Sequence, residues 1–279
     1  MDFDARIGFA VVLAREAGAL ALRYFLRELD YEAQSKGIAQ DWVSIADRNV
    51  EALCRTRLAD AFPDDAMLGE ETGGDIGECT WLIDPIDGTL NFVHGVRYWC
   101  VSIAFLHQGV RSIGVIYDPA ADELFVALAG RGAYMSAKDR SRARISPEAR
   151  SPEGSPADGH PMRVSTCGSI DRALLGHGYV RRQDVDAHLR LRRMLLESGA
   201  EVKDHGAGAL MLAHVAAGRF DAYLEAHMHP WDASAGLLMV EEAGGQVLPY
   251  PGERGLRAGG TVLASAPALF DRLAAMTGW

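Results

Sequence analysis

The sequence predicts a mixed fold in two halves, α+β over residues 1–150 and α/β over residues 151–279, joined as a single compact unit. Two early segments carry helical periodicity, a group of short apolar runs follows, and the last third alternates helix and strand signals.

The first helix spans Asp4 to about Arg27. Ile7, Val11, Ala14, Gly18, Ala21 and Phe25 recur every three or four positions and mark one apolar face. A second runs from Ser44 to Phe62, with Val50, Cys54 and Leu58 on one side and Pro63 beyond its end. Short strands are expected at Ala66–Leu68 and Trp81–Ile83. Val101–Leu106 and Ser112–Tyr117 flank a Gln108-Gly109 turn and form a hairpin, which Leu124–Val126 extends. Lys138–Pro161 is rich in Ser, Pro, Arg, Asp and Gly and reads as a loop or boundary. A helix then begins near Asp184, a strand near Glu201, a helix near Gly208 and a strand at Phe220–Leu224. A helix over Asp232–Glu242, strands near Val247 and Val262, and a helix after Pro267 complete the chain.

Composition narrows the function. Of 279 residues, 48% are hydrophobic and 24% charged, an ordinary globular balance. The net charge of −10 argues against a general nucleic-acid binder, which needs a basic stripe, so no direct nucleic-acid partner is expected. An anionic substrate stays compatible, because a bound divalent cation reverses the local field. Cys54, Cys79, Cys100 and Cys167 are scattered without a CxxC pair and read as free thiols. With an acidic start and no uncharged apolar run of ~18 residues, the expectation is a cytoplasmic chain with no membrane partner.

The sharpest local feature is Trp81-Leu82-Ile83-Asp84-Pro85-Ile86-Asp87-Gly88-Thr89. Two aspartates leave a buried strand across a proline-stiffened turn, which lets their carboxylates converge near the Ile86 carbonyl. Hard cations such as magnesium favour that mixture of oxygens. The backbone N–H groups of Gly88 and Thr89 are suited to a phosphate. An Asp-Pro turn followed by an Asp-Gly turn explains the same residues without chemistry. Glu70 and Glu71 follow Gly69 after a predicted strand, and Asp232 sits where a helix begins, a good N-cap position. Asp47 fits a capping box with Ser44 and is also placed to orient a hydroxyl or water.

Taken in order and spacing, Gly69-Glu70-Glu71, the segment Trp81–Gly95 and Trp231-Asp232-x-x-Ala235-Gly236 resemble the three motifs of the inositol monophosphatase family. The resemblance covers nearly the whole chain, including Asp47 and Gly244-Gly245. It implies a layered α-β-α-β-α sandwich of the inositol monophosphatase/fructose-1,6-bisphosphatase type, with most metal ligands in the N-terminal half. It further implies a Mg²⁺-dependent, lithium-sensitive phosphatase, often dimeric, acting on a small phosphorylated metabolite. Glu70, Asp84, the Ile86 carbonyl, Asp87 and Asp232 would be the metal ligands, and Gly88 and Thr89 would hold the phosphate. Thr89 with Asp47 would activate the attacking water, with Glu70 part of the catalytic set. Asp87, Asp232 and Glu225, the last seven residues before Asp232, would contact substrate.

Asn91 stands where relatives cleaving adenosine bisphosphates tend to carry Lys, which favours the inositol branch. Against it, Gly206-Ala207-Gly208-Ala209-Leu210-Met211 lacks a hydroxyl at Ala207 and a carboxylate at Met211 that the family usually presents. The alternatives are a sugar phosphate, adenosine 3′,5′-bisphosphate or histidinol phosphate, or a mainly regulatory partner of the transcription machinery. Three weaker features are a His227-x-His229 metal pair, a Lys36 beside the metal site, and a solvated arginine face over Arg181, Arg182, Arg190, Arg192 and Arg193.

Overall fold

A computed structural model describes residues 2–30, 33–35, 42–137, 159–179, 184–252 and 255–279. Lys36, residues 138–158, Arg181 and Arg182 lie outside the described residues.

Helix α1 (Phe3–Phe25) buries Leu13, Ala14 and Ala17, and Asp2 caps it by accepting the Ala5 N–H at 3.0 Å. Strands β1 (Ala33–Ser35) and β2 (Trp42–Ser44) form a small antiparallel pair, absent from the sequence reading, and lead into α2 (Ile45–Ala61). The capping box expected between Ser44 and Asp47 is present.

Eight strands form the larger sheet: β3 (Ala66–Gly69), β4 (Gly73–Gly74), β5 (Cys79–Asp87), β6 (Cys100–His107), β7 (Val110–Asp118), β8 (Glu123–Leu128), β9 (Gly132–Ala137) and β10 (His160–Pro161). Their order is β10-β9-β8-β7-β6-β5-β3-β4. The β6–β7 hairpin turns at Gln108 and Gly109, both at positive φ (52° and 77°), the backbone that follows strand twist. One expectation is corrected here. Strand β5 does not stop at Ile83 but runs on to Asp87, and its register against β6 shifts between the Asp84–Ser102 and Asp87–Cys100 pairs. The shift is a bulge of one extra residue, and it accommodates Pro85, which cannot donate to a ladder.

A short helix α3 (Thr89–Val93) leaves β5, and the second sheet contains β11 (Leu174–His177), β12 (Glu201–Lys203), β13 (Ala222–Met228), β14 (Gln246–Val247) and β15 (Gly260–Ser265) in the order β12-β11-β13-β15-β14. Strand β13 starts two residues later than expected and runs four further, so Glu225 lies within it. Its pairing with β11 is parallel and with β15 antiparallel. The remaining helices are α4 (Val185–Glu197), α5 (Gly208–Ala216), α6 (Pro230–Glu242) and α7 (Pro267–Thr277).

Three buried clusters define the layers. Ala14 and Val50 of α1 and α2 pack on Trp81, Ile83 and Phe105 of the eight-stranded sheet. On its other face, Leu212 and Leu238 of α5 and α6 meet Leu82 and Ile116 beneath them and Tyr223 and Val262 of the second sheet. Outside that sheet, Leu195 of α4 and Leu273 of α7 cover Leu175 and Leu263. The order is therefore α-β-α-β-α, the layered sandwich that the resemblance implies.

Contact between α6 and the first sheet is close. A Cβ added at Gly114 of β7 would lie 2.7 Å from the Ala235 carbonyl oxygen and 3.0 Å from its Cα. Backbone cannot yield as a side chain does, so Gly114→Ala is expected to destabilise the protein by about 1–3 kcal/mol, as overpacking does. Chemical denaturation measures it, and an unchanged midpoint would refute the contact.

Candidate metal centre and active-site cleft

Sheet register builds the acidic centre. Gly69 of β3 lies beside Ile83 of β5 in a parallel pair, and the Glu70 N–H donates to the Ile83 carbonyl at 3.2 Å. Glu70 therefore leaves its strand next to Asp84. Across β5, Ser102 pairs with Asp84, and its hydroxyl donates to the Trp231 carbonyl at 2.9 Å. That bond brings the first turn of α6 to the same place. Within it, His229 is the N-cap, Pro230 is the first helical residue, and Asp232 is the third, accepting the His229 N–H at 3.3 Å. Asp232 is thus not itself the N-cap, and its carboxylate points to Asp84 rather than serving only its own helix.

Oxygens of Glu70, Asp84 and Asp232 lie within 4.8 Å of one another, with Asp84 buried and the other two half-buried. Burial pushes Asp84 well above the usual carboxylate range, and Glu70, Asp232 and Asp87 push it further. Asp232 is raised for the same reasons: burial first, then Glu70 and Asp87. No basic side chain offsets these charges among the causes acting on Asp84 or Asp232. Desolvated carboxylates without a cation are costly. The donor set, oxygen only, fits a hard divalent cation, which would supply the missing charge.

The fourth carboxylate has a second task. Asp87 Oδ2 accepts the N–H groups of Ala209 at 2.8 Å and Leu210 at 3.4 Å, and the Cys100 thiol lies 3.6 Å away. Ala207 occupies the N-cap of α5 and has no side chain to offer, so Asp87 caps that helix from another strand. Burial pushes Asp87 up to about 6, against the pull of those N–H groups.

Asp47 is fully buried and reaches the centre through Thr89. The Thr89 hydroxyl lies 3.2 Å from Asp47 Oδ1 and 3.1 Å from the Ile86 carbonyl, while the Ser44 N–H holds Asp47 Oδ2 at 2.8 Å. Burial raises Asp47 to about 6. Gly88 stands at φ 93°, a left-handed backbone natural only to glycine, as the chain turns from β5 into α3.

A cleft of about 140 Å³ opens beside the centre, lined in part by Asp87, Asp232, Asp204, Glu225, Tyr179 and Tyr223. The Tyr223 hydroxyl donates to Glu225. Although the cleft leaves Glu225 part-exposed, surrounding protein desolvates it and pushes it up to about 8, with Asp87 and Asp204 adding to the rise.

The structure gathers Glu70, Asp84 and Asp232, adds Asp87 beside them, links Asp47 and Thr89 to Ile86, and sets Glu225 in the cleft. The His227-x-His229 pair, only a weak metal candidate in the sequence, joins no ligand cluster among the described residues. His227 Nε2 instead contacts the Ala258 carbonyl at 2.7 Å, and His229 stacks on Trp231. In α4, Arg190 and Arg193 are exposed as expected, while Arg192 is half-buried.

Several residues of the centre and the cleft went unread in the sequence. Glu51 of α2 is wholly buried and accepts the N–H groups of Glu71 at 2.7 Å and Thr72 at 3.1 Å, with Arg55 beside it at 3.0 Å. It fixes the turn that carries Glu70. Its only sequence signal is a glutamate on the apolar face of a helix, one residue after Val50. Asp204, Tyr179 and Tyr223 carried no signal.

A five-layered sandwich with a cluster of carboxylates suited to a hard cation where the two sheets meet matches the scaffold of the metal-dependent phosphatases that the sequence resembles. The model of the inositol monophosphatase family matches residues 2–277, and the chain belongs to that family. It is 35% identical over 276 residues to the Nus factor SuhB of Pseudomonas aeruginosa, covering 96% of this chain and 93% of that one. Among solved structures, the extragenic suppressor protein suhB of Bartonella henselae superposes with a TM-score of 0.84 at 31% identity, covering 98% of each chain. The Thermotoga maritima IMPase superposes with a TM-score of 0.81 at 28% identity, covering 98% of this chain and 97% of that one.

Two outcomes follow from the charges. A carboxyl raised above its unfolded value of about 4 stabilises the fold below that pH and ceases to do so as pH rises through its folded value. Asp87 and Asp47 set that window between about 4 and about 6. The melting temperature of the cation-free protein should fall across it, and the gain on adding Mg²⁺ should be larger at pH 8 than at pH 5.5. Scanning calorimetry tests this, and a gain independent of pH would contradict it. Glu51→Gln should weaken the Mg²⁺-induced thermal shift by ~10-fold in the concentration required, as loss of an outer-shell partner does. An unchanged titration would show that the turn holds Glu70 without it.

Proposed function

We propose that this chain hydrolyses a small phosphate monoester with Mg²⁺, inositol monophosphate being the first candidate. The observation that carries the reading is the convergence of Glu70, Asp84 and Asp232 within 4.8 Å. Membership of the family supports it.

In this reading Glu70, Asp84, the Ile86 carbonyl, Asp87 and Asp232 hold the metal. Bound there, the cation supplies Lewis-acid stabilisation of charge on the phosphoryl oxygens and acidifies the attacking water. Gly88 and Thr89 present backbone N–H groups to the phosphate. The Thr89 hydroxyl, 3.2 Å from Asp47, orients the water and passes its proton to that carboxylate. A carboxyl raised to about 6 is well matched to accept a proton near neutral pH. The water oxygen bonds to phosphorus as the ester P–O bond breaks. The departing alkoxide takes a proton from solvent water, and Asp47 returns the proton it accepted to solvent, leaving the alcohol and hydrogen phosphate. Glu225 meets the hydroxyls of the leaving alcohol. A homodimer inhibited by lithium accompanies the reading on the family resemblance alone, and a cytoplasmic location on the scattered cysteines and the lack of a long apolar run.

Phosphate release from inositol 1-phosphate, with and without Mg²⁺ and with Li⁺ added, tests the proposal. Asp84→Asn is expected to lower turnover at least ~100-fold, since the charge stabilisation at stake is several kcal/mol. Its circular dichroism should stay native. Near-full activity in that variant would sink the metal assignment.

A second reading rests on a different observation. The relative in Pseudomonas aeruginosa bears the name Nus factor, which favours a role beside the transcription machinery. Retention of RNA polymerase from the native host on the immobilised protein supports it, and a clean negative retires it.

A further inference from the structure

We infer that Asn91 is a positioning residue whose side-chain amide ties the phosphate turn, Gly88 and Thr89, to the wall of the cleft at residues 206–208. The two sides of the site are thereby held in one geometry. The inference rests on the phosphatase reading above and assigns a further residue to that same reaction.

Three stretches of chain meet at this point. The turn into α3 carries Gly88 to Asn91, the approach to β6 carries Tyr98, and the approach to α5 carries residues 205–208. Asn91 Nδ2 has two N–H groups. One donates to the Tyr98 carbonyl at 2.8 Å and the other to the His205 carbonyl at 2.7 Å. Both partners are acceptors, so only the nitrogen end of the amide can face them. The bond to His205 spans 114 positions and joins the segment after β5 to the segment after β12. The Tyr98 and His205 rings, their centroids 4.8 Å apart, add a second contact at the junction.

Backbone packing leaves room for little else. A Cβ at Gly88 would lie 3.1 Å from the Tyr98 carbonyl oxygen and 3.2 Å from that of Gly206. One at Gly206, which stands at φ 73°, would lie 3.3 Å from Asn91 Nδ2. Gly206, Ala207 and Gly208 line the cleft and carry no polar side chain of their own. Glycine loses the most freedom when fixed, so this stretch depends on ties from outside. It has one on each side. Asp87 accepts the N–H groups of Ala209 and Leu210 just after it, and Asn91 donates to His205 just before it. Both ties start from the end of β5 and the turn that follows. Asn91 does not line the cleft, so it acts through the backbone that it holds.

Hydrogen exchange of the full chain, together with turnover of inositol 1-phosphate and glycerol 3-phosphate at saturating Mg²⁺, tests the assignment. In Asn91→Ala, exchange across residues 204–212 should quicken ~10-fold, about the worth of one neutral hydrogen bond, while β13 and β15 keep their rates. On the ester used, kcat should fall ~10- to 100-fold with KM changed by less than ~3-fold, because substrate still binds but its reacting groups are misplaced. Asn91→Asp keeps the shape and loses both donors, so it should behave in the same way. Native exchange and native kcat in Asn91→Asp would show that shape alone holds the wall, and would overturn the inference. Faster exchange with unchanged kcat overturns it too, as does faster exchange spread evenly over both sheets, the mark of a merely structural role. Each of these leaves the phosphatase reading intact, because the unaltered protein still releases phosphate. Silence of the unaltered protein on both esters overturns that reading, and this one with it.

Discussion

Like charges held together by covalent connectivity and hydrogen bonds have to be neutralised by something, and this fold is organised around that need. Two carboxylates about 4 Å apart near a protein surface repel by roughly 4 kcal/mol. Here Glu70, Asp84 and Asp232 converge, and Asp87 adds its charge. Strand pairing supplies the first two, and the first turn of α6 supplies the third. Each of these elements is anchored away from the centre, by the buried sheet or by the packing of α6 on Gly114. The core holds the repulsive geometry in place, and burial together with the neighbouring carboxylates raises Asp84 and Asp232 above the usual carboxylate range.

The same aspartates also join the two sheets. Asp87 leaves the bulge of β5 and caps α5, which lies between the sheets and packs against both. Removing its carboxylate would strip the helix of its cap as well as the site of its charge. Structure and chemistry are carried by one side chain, and a variant there would show both losses together. Asp84, by contrast, accepts the Ile86 N–H of its own turn at 2.9 Å and shares a hydrogen bond with Asp232, so both partners lie within the acidic centre.

Much of this was legible before any coordinates. The helices over Phe3–Phe25 and Ile45–Ala61 follow the apolar spacing, the helix over Val185–Glu197 begins where expected, and Gln108-Gly109 announces its hairpin. The acidic centre was legible because its residues sit in short, compositionally unusual runs. What escaped has a physical reason in each case. Strand β11, Leu174–His177, is four residues long and includes a glycine, too little for a periodicity to emerge. The bulge in β5 looked like a strand end because Pro85 is a reliable breaker everywhere except at such irregularities. Glu51 holds the N–H groups of Glu71 and Thr72, 20 and 21 positions away, and Asp204 lines a wall assembled from several segments, and local pattern carries no trace of either.

The hydrogen bond from Ser102 to the Trp231 carbonyl has a consequence for how the molecule matures. It ties a strand of the first sheet to a helix that the ribosome delivers only after β11, β12 and β13. Until that helix docks, Glu70 and Asp84 face one another without their third partner, and a cation finds an incomplete set of oxygens. Long-range contacts of this kind form late, because chain closure must precede their reward. The three-carboxylate cluster is therefore complete only once α6 has docked on the first sheet.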